Sequence, residues 1–169
     1  MGCDIHAVIE NQIYGSWSNF AVVEIARDYK LFSAIAFGDG GITDDLPYPP
    51  RGLPPDLSGR VRDLFFIEAD SLKDLEAQND QDAKIQSEDI AKVWGDWAVE
   101  QFVRYKILPG PDLHTPSWLK LNELETALKH AGLKLEEQSP QFRAVIASMR
   151  VFSETYGGDN VRLVFWFDG

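Results

Sequence analysis

The chain has 169 residues, is 44% hydrophobic and 12% aromatic, and carries a formal net charge of −11. That apolar content suits one packed core and is short for two, so residues 1–169 read as a single domain. The charge argues against binding long DNA or RNA through phosphate neutralisation.

Cys3 is the only cysteine. An intramolecular disulfide is excluded, and a reducing cytoplasm is the expected location. No apolar run approaches membrane-spanning length. The start lacks the basic and apolar regions of a signal peptide. His6 stands where a myristoylation motif needs Ser or Thr. A small ligand, a basic partner, DNA mimicry by an acidic face, and self-association all stay compatible with the charge.

Residues 3–11 read as a strand. Turn formers fill 11–18, and a second strand follows at 20–25, making a hairpin with a loop of several residues. Residues 28–37 read as a short helix with an apolar stripe of Leu31, Phe32, Ile35 and Ala36, stopped by Gly38. Residues 38–60 are rich in proline and glycine and read as a long ordered loop. Its chemical handle is Arg51, with Asp56 and Ser58 nearby; a plainer reading is a surface lasso tied down by Arg51–carboxylate pairs. Leu64-Phe65-Phe66-Ile67 reads as a strand. An acidic, insertion-like stretch follows over about 68–89, most simply a solvated face. Ser87-Glu88-Asp89 caps an expected helix reaching residue 106, with Trp94 and Trp97 on its apolar face. His114 to Leu121 reads as a loop entering a short extended piece. Asn122 is the expected cap of the next helix, with Glu125 in the capping box and Gly132 as the stop. Ser139-Pro140 starts the last helix. Residues 161–169 read as a strong closing strand. The fold class is α+β: a small, mostly antiparallel sheet from the N-terminal hairpin and the C-terminal strand, packed against several helices.

Alternation gives both terminal strands one apolar and one mixed face. The mixed faces carry Asp4, His6 and Glu10 on one strand and Arg162, Trp166 and Asp168 on the other. If the strands pair, these groups share one side of the sheet. Such a set is costly to bury without partners, so it either faces water or lines a site. An arginine beside an indole suits a nucleotide, through phosphate pairing and base stacking. Asp4, His6 and Asp168 are candidate ligands for Zn, Mn or Mg, with His114 or a loop acid completing the set. An Asp-x-His strand start also occurs in metallophosphoesterases, but their further motifs are missing. Cys3 points away from His6 and reads as a buried thiol rather than a nucleophile. His130 lies in a last helical turn, where an imidazole favours the negative end. His114, with Trp118 nearby, is split between ligand contact and a loop hydrogen bond. No phosphate loop, dinucleotide fingerprint, nucleophile elbow or cysteine zinc motif is present.

Met1-Gly2-Cys3-Asp4-Ile5-His6, Tyr29-x-Leu31-Phe32, Arg51-Gly52-Leu53-Pro54, His114 before Ser117-Trp118-Leu119, and Arg162-x-Val164-Phe165-Trp166-Phe167-Asp168 occur together in this chain. In these motifs it resembles a group of small, largely uncharacterised proteins encoded by tailed phages and some bacteria. The resemblance implies a phage or prophage setting, hence the host cytoplasm. It carries over no catalytic residue.

The leading expectation is a pocket for a small phosphate-bearing ligand, nucleotide-like. Asp4, His6, Arg162, Trp166 and Asp168 form its floor. Arg51, Ser58, His114 and Trp118 close over it. Hydrolysis of a nucleotide signal, with a divalent metal or His6 activating water, is one version and fits phage counter-defence. A non-catalytic sponge for the same ligand is the second. An acidic inhibitor or DNA mimic acting through the 68–89 face is the third.

Overall fold

A computed structural model describes residues 4–38, 43–68, 107–109 and 113–168. Cys3, the acidic stretch beyond Glu68 and the expected helix over 87–106 lie outside the described residues.

Strands β1 (Asp4–Ile13), β2 (Ser16–Ile25), β5 (Leu113–Lys120) and β6 (Val161–Asp168) form one antiparallel sheet in the order β2-β1-β6-β5. The short β3 (Phe66–Glu68) and β4 (Ile107–Pro109) pair separately. The helices are α1 (Tyr29–Phe32), α2 (Gly59–Phe65), α3 (Leu121–His130) and α4 (Pro140–Tyr156). The α+β architecture is therefore the expected one, and the first and last strands are direct neighbours.

Several local elements differ from expectation for identifiable reasons. The hairpin loop has two residues rather than several, because Tyr14 and Gly15 both take positive φ (52° and 81°) and turn the chain at once. The helix after β2 is one α turn capped by Asp28, whose Oδ1 accepts the Leu31 N–H at 3.0 Å. It then widens into a π turn, Ser33–Phe37, closed by Gly38 N–H to the Ser33 carbonyl at 2.8 Å. The wider turn buries three consecutive residues, Ala34, Ile35 and Ala36, which a narrow α stripe would not. Residues 59–65, expected as the loop's end and a strand's start, are helical, and only 66–68 are extended. Pro109 is the last residue of β4.

β5 is a strand from Leu113 onward, interrupted where Thr115 adopts φ 48° and the register shifts between His114 and Ser117. Helix α3 begins one residue before Asn122. Its box acid is Glu123, which accepts the Lys120 N–H at 2.9 Å, while Glu125 instead pairs with Arg150. Gly132, at φ 67°, follows its end. Helix α4 starts as expected: Ser139 Oγ accepts the Phe142 N–H and Pro140 occupies the first turn.

Both faces of the sheet are covered. Ile5, Ala7, Ile9, Val161, Leu163, Phe165 and Phe167 pack beneath α1, the π turn, α3 and α4. On the other face Val8, Val164 and Trp166 pack against Leu53, Leu57 and Val61 of the proline-rich segment and α2. The long segment is thus a second layer of core.

Candidate functional site

The β1–β6 pairing sets Asp4 opposite Asp168, His6 opposite Trp166 and Glu10 opposite Arg162. His6 and Asp168 therefore sit diagonally across two rigid strands, on the face away from α1, α3 and α4. His6 Nε2 lies 2.8 Å from Asp168 Oδ2, with the side chains 27% and 37% exposed. A carboxylate only accepts, so Nε2 carries the proton in this pair. That leaves Nδ1 as the basic nitrogen, and it has no hydrogen-bond partner among the described residues. The Trp166 ring lies nearly parallel to the imidazole, 6.1 Å between centroids and 18° between planes. Asp4 is exposed, and its carboxylate meets Arg27 at 3.4 Å. The sheet end thus gathers an oriented imidazole, two carboxylates on paired strands and one half-exposed guanidinium.

The rest of the expected floor is roofed over. Arg162 is 3% exposed and Glu10 fully buried. Arg162 Nε donates to Glu10 Oε2 at 2.7 Å, Nη1 to Asp56 Oδ1 at 2.8 Å and Nη2 to the Asp56 carbonyl at 3.0 Å. Its guanidinium lies 3.7 Å from the Trp17 ring centroid. These bonds and the packed ring occupy the group that was expected to meet a phosphate. Trp166 is buried in the loop-side cluster, so its face is no open stacking platform. Ser58 is buried as well. Its N–H donates to Glu10 Oε1 at 2.8 Å, and its Oγ accepts from Val61 N–H at 3.4 Å at the start of α2.

Arg51 is similarly committed. It makes a two-pronged pair with Glu123, at 3.0 and 2.7 Å, and its backbone N–H donates to Ser117 Oγ. This is the lasso tie of the plainer reading. Arg51 also lies 4.8 Å from the Trp118 ring and 5.3 Å from Tyr48, while Arg162 lies 5.8 Å from Trp118. Trp17, Arg162, Trp118, Arg51 and Tyr48 form an alternating series of rings and cations. It straps the proline-rich segment to β2, β5 and β6.

His114 pairs with Phe167, whose side chain belongs to the helix-side core, so it lies on the opposite face from His6. It stacks on Phe167 and meets Phe32 edge-on, with Nδ1 3.0 Å from Thr115 Oγ1. Burial pushes its pKa below the ordinary 6.5, against the raising influence of Asp168. For Asp56, burial raises the pKa, but Arg162 and the Trp17 N–H together outweigh it and leave the group below its ordinary value. Glu123 follows the same balance: burial is outweighed by Arg51 and the Lys120 N–H. Among the described residues no group of three or more His, Cys, Asp or Glu side chains is gathered as a metal ion would need.

Of the expected site residues, the structure brings together Asp4, His6 and Asp168. Arg162, Ser58, Arg51 and Trp118 gather in the strap, and His114 stands apart. Sequence reasoning missed Arg27, Trp17, Tyr48 and Glu123 as partners, and set Asp56 beside Arg51 where the structure pairs it with Arg162. One signal was present: Leu53, Leu57 and Val61 recur every fourth residue through the proline-rich segment, as a covered surface would require. Comparison with models of known families, with curated proteins and with solved structures finds no match for this chain.

Proposed function

We propose that the protein handles a small phosphate-bearing, nucleotide-like ligand by acid–base chemistry at the open end of the sheet. The observation that carries this reading is the 2.8 Å pair of His6 and Asp168 on adjacent strands, with Nδ1 unpartnered among the described residues. In this reading Nδ1 takes a proton from a water or ligand hydroxyl. Asp168 holds the ring and stabilises the imidazolium that forms. Arg27 is the nearby cation suited to a phosphate, since its contact with Asp4 is a single one at 3.4 Å between half-exposed groups. A divalent metal held by Asp4, His6 and Asp168 would need a further ligand or movement of Asp4. The phage counter-defence setting follows from the resemblance alone.

A second reading is sequestration without turnover. It is favoured by the full commitment of Arg51 and Arg162, which leaves little machinery for stabilising a reacting phosphate. The experiment incubates the protein with cyclic mono- and dinucleotides and ADP-ribose derivatives, with and without divalent metal. Turnover yields new species on chromatography; sequestration returns intact ligand after heat denaturation. His6→Ala is expected to lower turnover by roughly 10²-fold or more while leaving the melting transition in place, and Asp168→Asn is expected to lower it too. Absence of both turnover and binding across the panel sinks the proposal. So does a His6→Ala variant that behaves as the parent.

A further inference from the structure

A cleft of about 720 Å³ lies on the helix side of the sheet, between α1, the π turn and the C-terminal end of α3. It is independent of the His6–Asp168 pair, which sits on the other face. Its volume is within the range of pockets that take cofactor-sized ligands, about 300–1,000 Å³. Ala34, Leu46 and Leu133 supply apolar wall; Lys30, Ser33, Asp45 and His130 supply polar groups.

Two features distinguish this cleft. First, the chain carries a net charge of −11, and Arg27, Arg51, Lys120, Lys134, Arg150 and Arg162 are each paired with a carboxylate. Lys30 and His130 have no such partner among the described residues, yet they come from different elements and line the same cleft. His130 also ends a helix, where a cation complements the dipole, so its charge is placed without being neutralised. Second, the wall bearing Ser33 and Ala34 is the π turn. Such widened turns are rare and concentrate at functional sites.

We infer that this cleft binds a small organic molecule through an anionic group, a phosphate or a carboxylate, received by Lys30 and His130. The ligand's body lies on Ala34, Leu46 and Leu133. Asp45 accepts from a hydroxyl or amine elsewhere on the ligand, and the Ser33 hydroxyl adds a short-range contact. The charge balance disfavours a polyanion, because one carboxylate lines the same wall.

The test is an amide-resolved NMR titration of the full chain with inorganic phosphate, adenosine 5′-monophosphate and butyrate in parallel. The expected result is saturable shifts at residues 130–133 together with 30–34 and 45–46. Response to the two phosphates but not butyrate identifies a phosphate-bearing ligand; the reverse identifies a carboxylate. Lys30→Glu combined with His130→Ala is expected to weaken binding by roughly tenfold or more, as loss of two charge-assisted contacts should. Both residues are exposed, so the variant's melting curve should match the parent's and separates lost binding from lost fold. The inference is overturned if no anion produces saturable shifts at 130–133. It is equally overturned if shifts concentrate at His6, Arg27 and Asp168 alone, or if the double variant binds as the parent does.

Discussion

At the scale of single residues, the buried Arg162–Glu10 pair is the most consequential contact. The two side chains are 4% and 0% exposed. Removing one partner strands the other's charge where water cannot reach it. Arg162→Ala is expected to lower unfolding free energy by about 3–5 kcal/mol, measured by urea denaturation. Arg162→Met combined with Glu10→Leu is expected to cost less than the two single changes added together, because no bare charge remains. Near-additive losses would show that the pair is not coupled. The residue types of this contact were legible: alternation alone placed Glu10 and Arg162 on the same mixed face. Their isolation from solvent was not, because it depends on Asp56 and Ser58, which belong to the proline-rich segment, and Ser58 lies 48 residues along the chain from Glu10.

At the scale of elements, the β1–β2 turn is a place where the sequence and its backbone disagree. Tyr14 is fully exposed yet sits in the left-handed region, at φ 52°. Among the described residues its ring packs on nothing that would offset the strain. Tyr14→Asn makes the Asn-Gly pair that two-residue hairpins favour and is expected to add about 1 kcal/mol. In a domain of this size that corresponds to a melting temperature roughly 2–4 °C higher. An unchanged or lower temperature in a thermal melt would mean the tyrosine makes a contribution that its exposure hides. Long periodic elements such as α4, with its Ser139 cap and Pro140, were readable directly from spacing. The one-turn α1 and the π turn were not, since a π turn has no spacing signature distinct from an irregular helix. The misplaced cap of α3 has a similar cause: Asn122 and Glu125 match the pattern by residue type, but Lys120 and Glu123 hold the geometry.

At the scale of the whole molecule, three depressed pKa values act together. His114, Asp56 and Glu123 all titrate lower in the folded chain than their ordinary 6.5, 3.8 and 4.5. For each, the unfolded chain binds protons first as the pH falls. Stability is therefore full above about pH 6.5, begins to drop below it through His114, and drops further below 4.5 through Glu123 and then Asp56. A series of urea midpoints against pH should show this two-stage decline, and His114→Phe should remove the upper stage. A midpoint that rises between pH 7 and 5 would mean that relief of the −11 net charge outweighs these groups. The architecture itself was legible because both terminal strands alternate cleanly. The second core layer is not legible because Trp166 reads with its charged neighbours as the floor of an open pocket, when Leu53, Leu57 and Val61 cover it together with Val164.

The pairing of β1 with β6 also sets a timetable. Roughly 150 residues separate Ile13 from Val161, which a ribosome needs about 7–30 s to translate at ordinary speeds. The β1–β2 hairpin can close within microseconds. Throughout that wait β1 has a bare edge, and Ile5, Ala7 and Ile9 have no β6 beside them. Production of soluble protein should therefore respond to slow elongation and to chaperones that bind nascent chains. The same dyad that depends on β6 for Asp168 is, for that reason, among the last features of the molecule to form.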